Sequence, residues 1–147
     1  MPPQTCLAMV QTSPRKLEPR ELRIPEIGDD DALLRVEAIG DKAARRWGID
    51  VGDRIAVETM LGCGSCPRCL TGRYHWCRTR RIYSYIPLSE APGLWGAYAE
   101  YMDVAPNSVV HKVDPSLPPE IAVMFNPLGA GFRWAVEVPQ TKPGIPS

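Results

Sequence analysis

The stretch CGSCPRCLTGRYHWC, residues 63–77, decides how this sequence is interpreted. It holds four of the five cysteines at the spacing C-x2-C-x2-C-x7-C. Cysteines two residues apart can present both sulfurs to one ion through a tight turn, and structural zinc takes four thiolates at tetrahedral corners. Gly64, Pro67 and Gly72 favour the turns that this requires. We therefore predict one structural zinc ion, bound by Cys63, Cys66, Cys69 and Cys77.

Other uses of these cysteines remain open at this point. An iron–sulfur cluster also takes four thiolates, but the bacterial C-x2-C-x2-C run continues with x3-C-P, whereas here x7 precedes Cys77 and Arg78 follows it. Disulfide pairing would leave one cysteine over, and residues 1–10 do not read as a signal peptide, so we expect a reducing compartment. Cys6, in an apolar run, is predicted to be a buried strand thiol.

Length and composition narrow the class of protein. The 147 residues suffice for about one domain with its own core, and the formal net charge is zero. A balanced charge gives no global attraction to nucleic acid or to a membrane, and no apolar run approaches the roughly 20 residues of a membrane-spanning helix. We expect a cytoplasmic protein with no membrane partner. The 16 prolines and 12 glycines favour short elements and many turns.

Hydrophobic patterning predicts a mainly β (α+β) fold. Residues 120–138 have the length and composition of a helix, which Pro127, Gly129 and Gly131 should break or kink, and residues 41–48 suit one helical turn. We expect a partly open β-barrel followed by short C-terminal helices. Short apolar or alternating runs between turn residues predict six strands, at residues 6–10, 16–23, 32–38, 54–58, 97–104 and 109–113.

The order of these motifs resembles the zinc-dependent medium-chain alcohol dehydrogenases. The matching phrases are LRVEAIG at 34–40, VGDRIAVE at 51–58, the cysteine lobe at about 62–79, GAYAEY at 96–101 and the helical stretch at 117–135. The resemblance implies a single GroES-like catalytic-type domain over residues 1–147, with one structural zinc. It also implies descent from an NAD(P)-linked oxidoreductase that acts on alcohols or aldehydes.

The catalytic metal ligands of that family have no counterparts in this sequence. The phrase that ends at Gly40 should continue into a zinc-binding cysteine and, later, a Gly-His-Glu segment, but Asp41 follows directly. We predict an internal deletion of tens of residues at this junction. The family's third ligand position falls on Asn126, whose neutral amide is a poor zinc ligand. The only histidines, His75 and His111, have no evident cysteine or carboxylate partner. We therefore predict no catalytic residue.

A coenzyme site is not predicted either. A dinucleotide fold needs a strand, then G-x-G-x-x-G opening a helix. Gly129 and Gly131 match in part, but Trp134 occupies the third glycine position, and the sequence reaches residues 142–147 where the family would begin its Rossmann domain. We predict no cofactor-binding residue, and NAD(P) is implied by the resemblance alone.

Three classes of function follow. The favoured one is a fragment or deletion form of a zinc alcohol dehydrogenase domain, inactive on its own. A nucleic-acid-binding module is the second, suggested by five arginines around the lobe without an acidic residue between Glu58 and Glu90; zero net charge argues against it. The third is an interaction domain that self-associates through surface that a coenzyme domain would cover. The arginines are Arg68, Arg73, Arg78, Arg80 and Arg81, and the apolar surface comprises Phe132, Trp134, Val136 and Val138.

Overall fold

The computed structural model describes residues 3–26, 28–29, 32–33 and 38–139, the pair 32–33 by its backbone alone. Contacts divide the chain into two compact units, Met1–Lys112 and Val113–Ser147, which are described separately. The first unit contains all nine strands found in the described residues, and the second contains helices. The interpretation of residues 1–147 as a single GroES-like domain stays a prediction.

A long N-terminal hairpin begins the first unit. Strand β1 (Thr5–Ser13) pairs antiparallel with β2 (Lys16–Arg23), and the register shifts between Gln11 and Ser13. In β1, Cys6 and Ala8 are buried while Leu7 and Met9 are more exposed, as alternation in a half-buried strand requires. The strands predicted at 6–10 and 16–23 are confirmed.

The remaining strands are short and form open sheets. They are β3 (Ala32–Leu33), β4 (Ala38–Ile39), β5 (Ile55–Val57), β6 (Met60–Leu61), β7 (Arg81–Ile82), β8 (Asp103–Val104) and β9 (Val110–Lys112). One sheet has the order β4–β3–β8, and two further pairs are β5–β9 and β6–β7, all antiparallel. The described residues form no closed barrel, which agrees with the expectation of an open one.

Two predicted strands differ from the structure. The prediction of one strand over 32–38 is wrong, because β3 and β4 are separate strands that pair antiparallel. Residues 34–37 of the LRVEAIG motif lie outside the described residues. The prediction over 97–104 is wrong for most of its length. The Leu7 amide donates to the Glu100 carboxylate (2.8 Å) and not to a backbone carbonyl, so the ladder beside β1 shrinks to a single bridge between Ala8 and Ala99.

Helix α1 (Asp41–Trp47) confirms the helical turn predicted at 41–48 and begins at the junction where a deletion is predicted. The Ala44 amide donates to the Gly40 carbonyl (3.0 Å), so the first hydrogen bond of the helix spans Gly40 and Asp41. The amides of Lys42 and Ala43 both donate to the Asp29 carbonyl (3.0 Å each). A Cβ at position 40 would overlap the Gly28 carbonyl oxygen, so only glycine fits this close approach.

The hydrophobic core of the first unit consists of two buried clusters. One buried cluster contains Tyr83 and Trp95, whose rings are 6.2 Å apart, and the Tyr83 hydroxyl contacts the Ser108 hydroxyl (2.6 Å) and accepts from the Ala105 amide (2.9 Å). A second buried cluster contains Cys6, Leu94 and Tyr101. The prediction that Cys6 is a buried strand thiol is confirmed. The other members of the first cluster are Leu61, Ile86, Met102 and Ala105.

The second unit is helical. It contains α3 (Pro119–Ala122), α4 (Phe125–Phe132) and a π-helical turn, Arg133–Glu137. The helical stretch is interrupted, as predicted, but at residues 123–124, about one turn before Pro127, and α4 runs through Pro127, Gly129 and Gly131 without a break. Pro127 falls in the first turn of α4, where an amide hydrogen has no intrahelical acceptor, so proline costs little there.

Candidate metal centre

Two short elements position the four clustered cysteines. Strand β6 ends just before Gly62, and Cys66 caps the short helix α2 (Pro67–Leu70), which contains Cys69. Pro67 is the first residue of α2, where its missing amide hydrogen is not needed. A 3-10 turn, Tyr74–Trp76, then delivers Cys77. Gly64 (φ +77°) and Gly72 (φ +73°) adopt left-handed conformations, which confirms the turns predicted at these glycines.

The four sulfur atoms converge. They all lie within 4.8 Å of one another, with Sγ–Sγ distances of 3.9 Å from Cys63 to Cys69 and 3.5 Å from Cys66 to Cys69. Four thiolates at the usual Zn–S bond length would have sulfurs about 3.8 Å apart at tetrahedral corners. The arrangement therefore fits zinc in donor type, number and spacing. Across the described residues it is the one group of three or more metal-ligating side chains that converges in this way.

Hydrogen bonds around the sulfurs favour ionised thiolates at some positions. The amide of Cys66 donates to the Cys63 sulfur (3.3 Å), and the Ser65 hydroxyl lies 3.7 Å from it. Donors from Ser65 and Cys66 lower the pKa of Cys63 to about 5. The Thr79 hydroxyl, 3.4 Å from the Cys77 sulfur, lowers the pKa of Cys77. Burial, with the neighbouring sulfurs, raises the pKa of Cys69 to about 11.

These opposite shifts predict a pH-dependent reactivity of the metal-free chain. A thiolate is the nucleophile, and Cys63 is exposed and ionised above about pH 5, whereas Cys69 stays protonated until the pH approaches about 11. At neutral pH we expect iodoacetamide to alkylate Cys63 well before Cys69, with the Cys63 rate falling as the pH drops through about 5. Peptide mass spectrometry checks this, with zinc-loaded protein as the protected control. Equal rates at both cysteines would contradict it.

Two side-chain hydrogen bonds fasten the lobe, residues 62–79, to the rest of the first unit. The Asn107 amide donates to the Gly62 carbonyl, and the Tyr74 hydroxyl donates to the Glu58 carboxylate (3.4 Å). Burial, with the adjacent Glu58 charge, raises the pKa of Tyr74, so this hydroxyl keeps its proton and remains a donor. Asn107 was not predictable as a support, because it is 30 or more residues from every cysteine and no local spacing marks it.

Gly62 is a packing requirement of the metal centre. A Cβ at this position would lie 2.8 Å from the Cys69 sulfur and 2.9 Å from the Tyr74 Cβ, both closer than carbon atoms tolerate. The only cue in the sequence is that Gly62 directly precedes Cys63.

Substituting Gly62 with alanine is expected to weaken zinc binding at least tenfold, because the added methyl group displaces a ligand sulfur that must be held within a few tenths of an ångström. Competition with a chromogenic chelator measures the affinity. Gly129→Ala is the matched control, since a Cβ there meets nothing within 4 Å and α4 should keep its conformation. Unchanged affinity in Gly62→Ala would contradict the packing argument.

None of the other candidate residues belongs to the converging group of ligands, although His75 lies within the cysteine stretch. His75 is in the 3-10 turn, where its ring meets the edges of Tyr74 and Trp76 at centroid distances of 5.9 and 6.0 Å. His111 is exposed in β9, opposite Ala56 of β5. Asn126 lies in α4. The absence of catalytic residues stays a prediction.

The two glycines of the partial dinucleotide fingerprint lie within a helix. Gly129 and Gly131 lie inside α4, which follows another helix, whereas a pyrophosphate site needs glycines in a turn between a strand and a helix.

Comparison with known proteins finds similarity to alcohol dehydrogenases. Residues 15–115 match the family described as the alcohol dehydrogenase GroES-like domain. A probable alcohol dehydrogenase of Mycobacterium tuberculosis is 42% identical over 173 residues, which cover 93% of this chain and 47% of that protein. An erythritol/L-threitol dehydrogenase of Mycolicibacterium smegmatis is 39% identical over 103 residues, covering 70% of this chain and 27% of that protein. The chain thus spans about half or less of these relatives.

Solved structures share the fold. An oxidoreductase/dehydrogenase of unknown specificity from Escherichia coli superposes with a TM-score of 0.74 at 17% identity, over 95% of this chain and 48% of that one. The alcohol dehydrogenase TADH from Thermus sp. gives 0.66 at 23% identity, over 80% and 43%. At these identities the likeness concerns the fold, and the predicted GroES-like fold is confirmed.

Proposed function

The chain belongs to the alcohol dehydrogenase GroES-like domain family, and from that premise we propose that it is the GroES-like part of a zinc-dependent alcohol dehydrogenase, which binds one structural zinc and by itself transfers no hydride. Its relatives are dehydrogenases of alcohols, of erythritol and threitol, and of threonine. The single observation that carries the proposal is the convergence of four sulfurs within 4.8 Å in a chain of this family.

Zinc would be held by the four cysteine sulfurs and would cross-link the lobe. With all four tetrahedral positions taken by sulfur, the ion has no place for a water or a substrate oxygen. Metal analysis of the purified chain should return one zinc per chain. Two zinc ions per chain, or the colour of an iron–sulfur cluster, would overturn this assignment.

The alignment with the M. tuberculosis relative supports a shortened domain. It extends over 173 positions, whereas 93% of 147 residues is about 137, so about 36 positions have no counterpart in this chain. A loss of that size agrees with the deletion predicted after Gly40. It accounts for the lack of a cysteine and of a Gly-His-Glu segment in this stretch of sequence.

Hydride transfer between an alcohol and a nicotinamide is therefore expected to be undetectable with this chain alone. The reaction needs an electrophile that polarises the substrate oxygen and a surface that holds the coenzyme against it. The assay is NAD or NADP reduction with simple alcohols, on protein freed of contaminating dehydrogenase and verified to contain its zinc. Activity that a chelator abolishes would contradict the proposal.

The location of the protein in the cell is part of the proposal. No described helix has the length and apolar character needed to cross a bilayer. We place the protein in the cytoplasm, where reduced thiols remain available for zinc.

Self-association is proposed through the apolar surface of the second unit. Phe132, Trp134 and Val138 are exposed, and Val136 between them is partly buried. Sedimentation at increasing concentration should reveal oligomers that Trp134→Ser reduces; a monomer at all concentrations would contradict it.

We propose that this chain does not bind nucleic acid, although the cysteine lobe carries several arginines. Arg73, Arg78 and Arg80 are exposed and make no ion pair within the described part of the chain. A zinc tetrathiolate carries a charge of −2, however, which offsets part of this positive charge. Binding to single-stranded DNA that weakens steeply with salt would contradict the proposal.

A further inference from the structure

A cavity lies between the N-terminal hairpin and the segment 84–99, apart from the metal centre. Its volume is about 730 Å³, within the range of small-molecule sites, roughly 300–1,000 Å³. One wall is formed by residues 8–14 of the hairpin together with Leu17 and Leu22, and the other by residues 84–88, 93–96 and 98–99. None of the four cysteines of the metal centre lines it.

Hydrogen bonds hold both walls before any ligand arrives. The Met9 amide donates to the Tyr98 carbonyl (2.8 Å), and the Glu100 amide donates to the Leu7 carbonyl (3.1 Å), which ties the hairpin to the opposite segment. Within that segment, the Ser84 amide donates to the Trp95 carbonyl (2.5 Å). The cavity is therefore formed by backbone that is already fixed, so a ligand would not have to order it.

The chemistry of the lining is distinctive because it carries no formal charge. Of the 20 described residues that line the cavity, none is Asp, Glu, Lys, Arg or His, although 23% of the whole chain is Asp, Glu, Lys or Arg. A charged ligand would lose its hydration here without gaining a counter-charge. Met9, Leu17 and Leu88 supply exposed apolar surface, while the Thr12 and Ser84 hydroxyls can satisfy a small number of polar atoms.

Two aromatic side chains of the lining are unusually exposed. Tyr85 is 83% exposed and Tyr98 is 78% exposed, so most of each ring is in contact with solvent. A flat apolar ligand that covered these rings would remove a large apolar area from water and leave the hydroxyls solvated. From the volume, the uncharged lining and these rings, we propose that the cavity binds an uncharged, predominantly apolar small molecule.

Fluorescence titration with Nile red, a neutral and flat apolar dye, tests this on the whole zinc-loaded chain. We expect saturable binding of one dye per chain at this site. Met9→Glu should weaken it at least tenfold by placing a carboxylate in the lining, because desolvating that charge opposes binding. Met9→Leu, which keeps the wall apolar, should retain binding within about threefold.

Val51→Glu is the matched control, since it adds the same charge at a 62% exposed position that does not line the cavity. It should bind the dye as the parent does. If Met9→Glu fails to fold, Leu88→Glu places the charge on the opposite wall at a 43% exposed position. Equal weakening in Val51→Glu, unchanged affinity in both lining variants, or binding without saturation would overturn the proposal.

Discussion

Replacing Cys69 with serine is expected to abolish zinc binding and to disorder residues 62–79. Cys69 lies 3.5 Å from the Cys66 sulfur and 3.9 Å from the Cys63 sulfur, so its loss opens the cluster at its centre. A serine hydroxyl does not ionise near neutral pH and is a poor substitute for thiolate. Structural zinc contributes roughly 10–16 kcal/mol of apparent binding free energy in small zinc-finger peptides, which sets the scale of the local effect.

Most of the β structure should survive this substitution. The hairpin β1–β2 and the cluster of Cys6, Leu94 and Tyr101 lie outside the lobe. Far-UV circular dichroism and limited proteolysis, together with metal analysis, separate the two outcomes: cleavage confined to the lobe is expected, and complete unfolding would show that zinc holds the whole unit. Cys6→Ala is the matched control, because it removes a cysteine outside the cluster and should retain one zinc.

Replacing Trp95 with alanine is expected to lower the free energy of unfolding of the first unit by about 3–5 kcal/mol. Trp95 is only 6% exposed, its ring lies beside Tyr83, and the Arg81 guanidinium stacks over it at 5.5 Å while also pairing with Glu90. Its indole N–H donates to the Glu90 carbonyl (2.9 Å). Truncation would leave a cavity in the core and a carbonyl without its donor.

Urea denaturation followed by circular dichroism measures this loss, with zinc content held constant. Tyr85→Ala serves as the control in the same segment. Since Tyr85 is 83% exposed, its truncation should change the unfolding free energy by no more than about 0.5 kcal/mol. A Trp95→Ala variant as stable as the control would mean that this cluster does not form the core of the unit.

The convergence of the four cysteines could be predicted from sequence because the residues that cause it are close together in the chain. Four cysteines within fifteen residues, separated by glycine and proline, restrict the backbone to turns that bring the sulfurs together, and Gly64 and Gly72 have the left-handed conformations that such turns need. The hairpin was predictable for a similar reason, since alternation and the turn at Pro14 and Arg15 are both encoded within about twenty residues.

Features that depend on distant contacts were not predictable in the same way. The residues at 97–104 have strand-like composition, but a single side chain, Glu100, takes the hydrogen bond that would extend the ladder. Proline within a helical stretch predicts a break, but α4 begins at Phe125, so Pro127 lies in the first turn, where proline is tolerated. The position of that first turn could not be predicted from the sequence. Asn107 and Gly62 support the metal centre through contacts that no short motif reveals.

Gly40 has a consequence for engineering this protein. Its carbonyl accepts the first hydrogen bond of α1, and its bare Cα lets the backbone at 28–29 receive two amides of that helix. A longer loop grafted after Gly40 has to keep the glycine and, if it displaces α1, to supply its own partner for the Asp29 carbonyl. The contacts of Gly40 with residues 28–29 therefore restrict changes at Gly40 itself, and changes in loop length belong after Gly40.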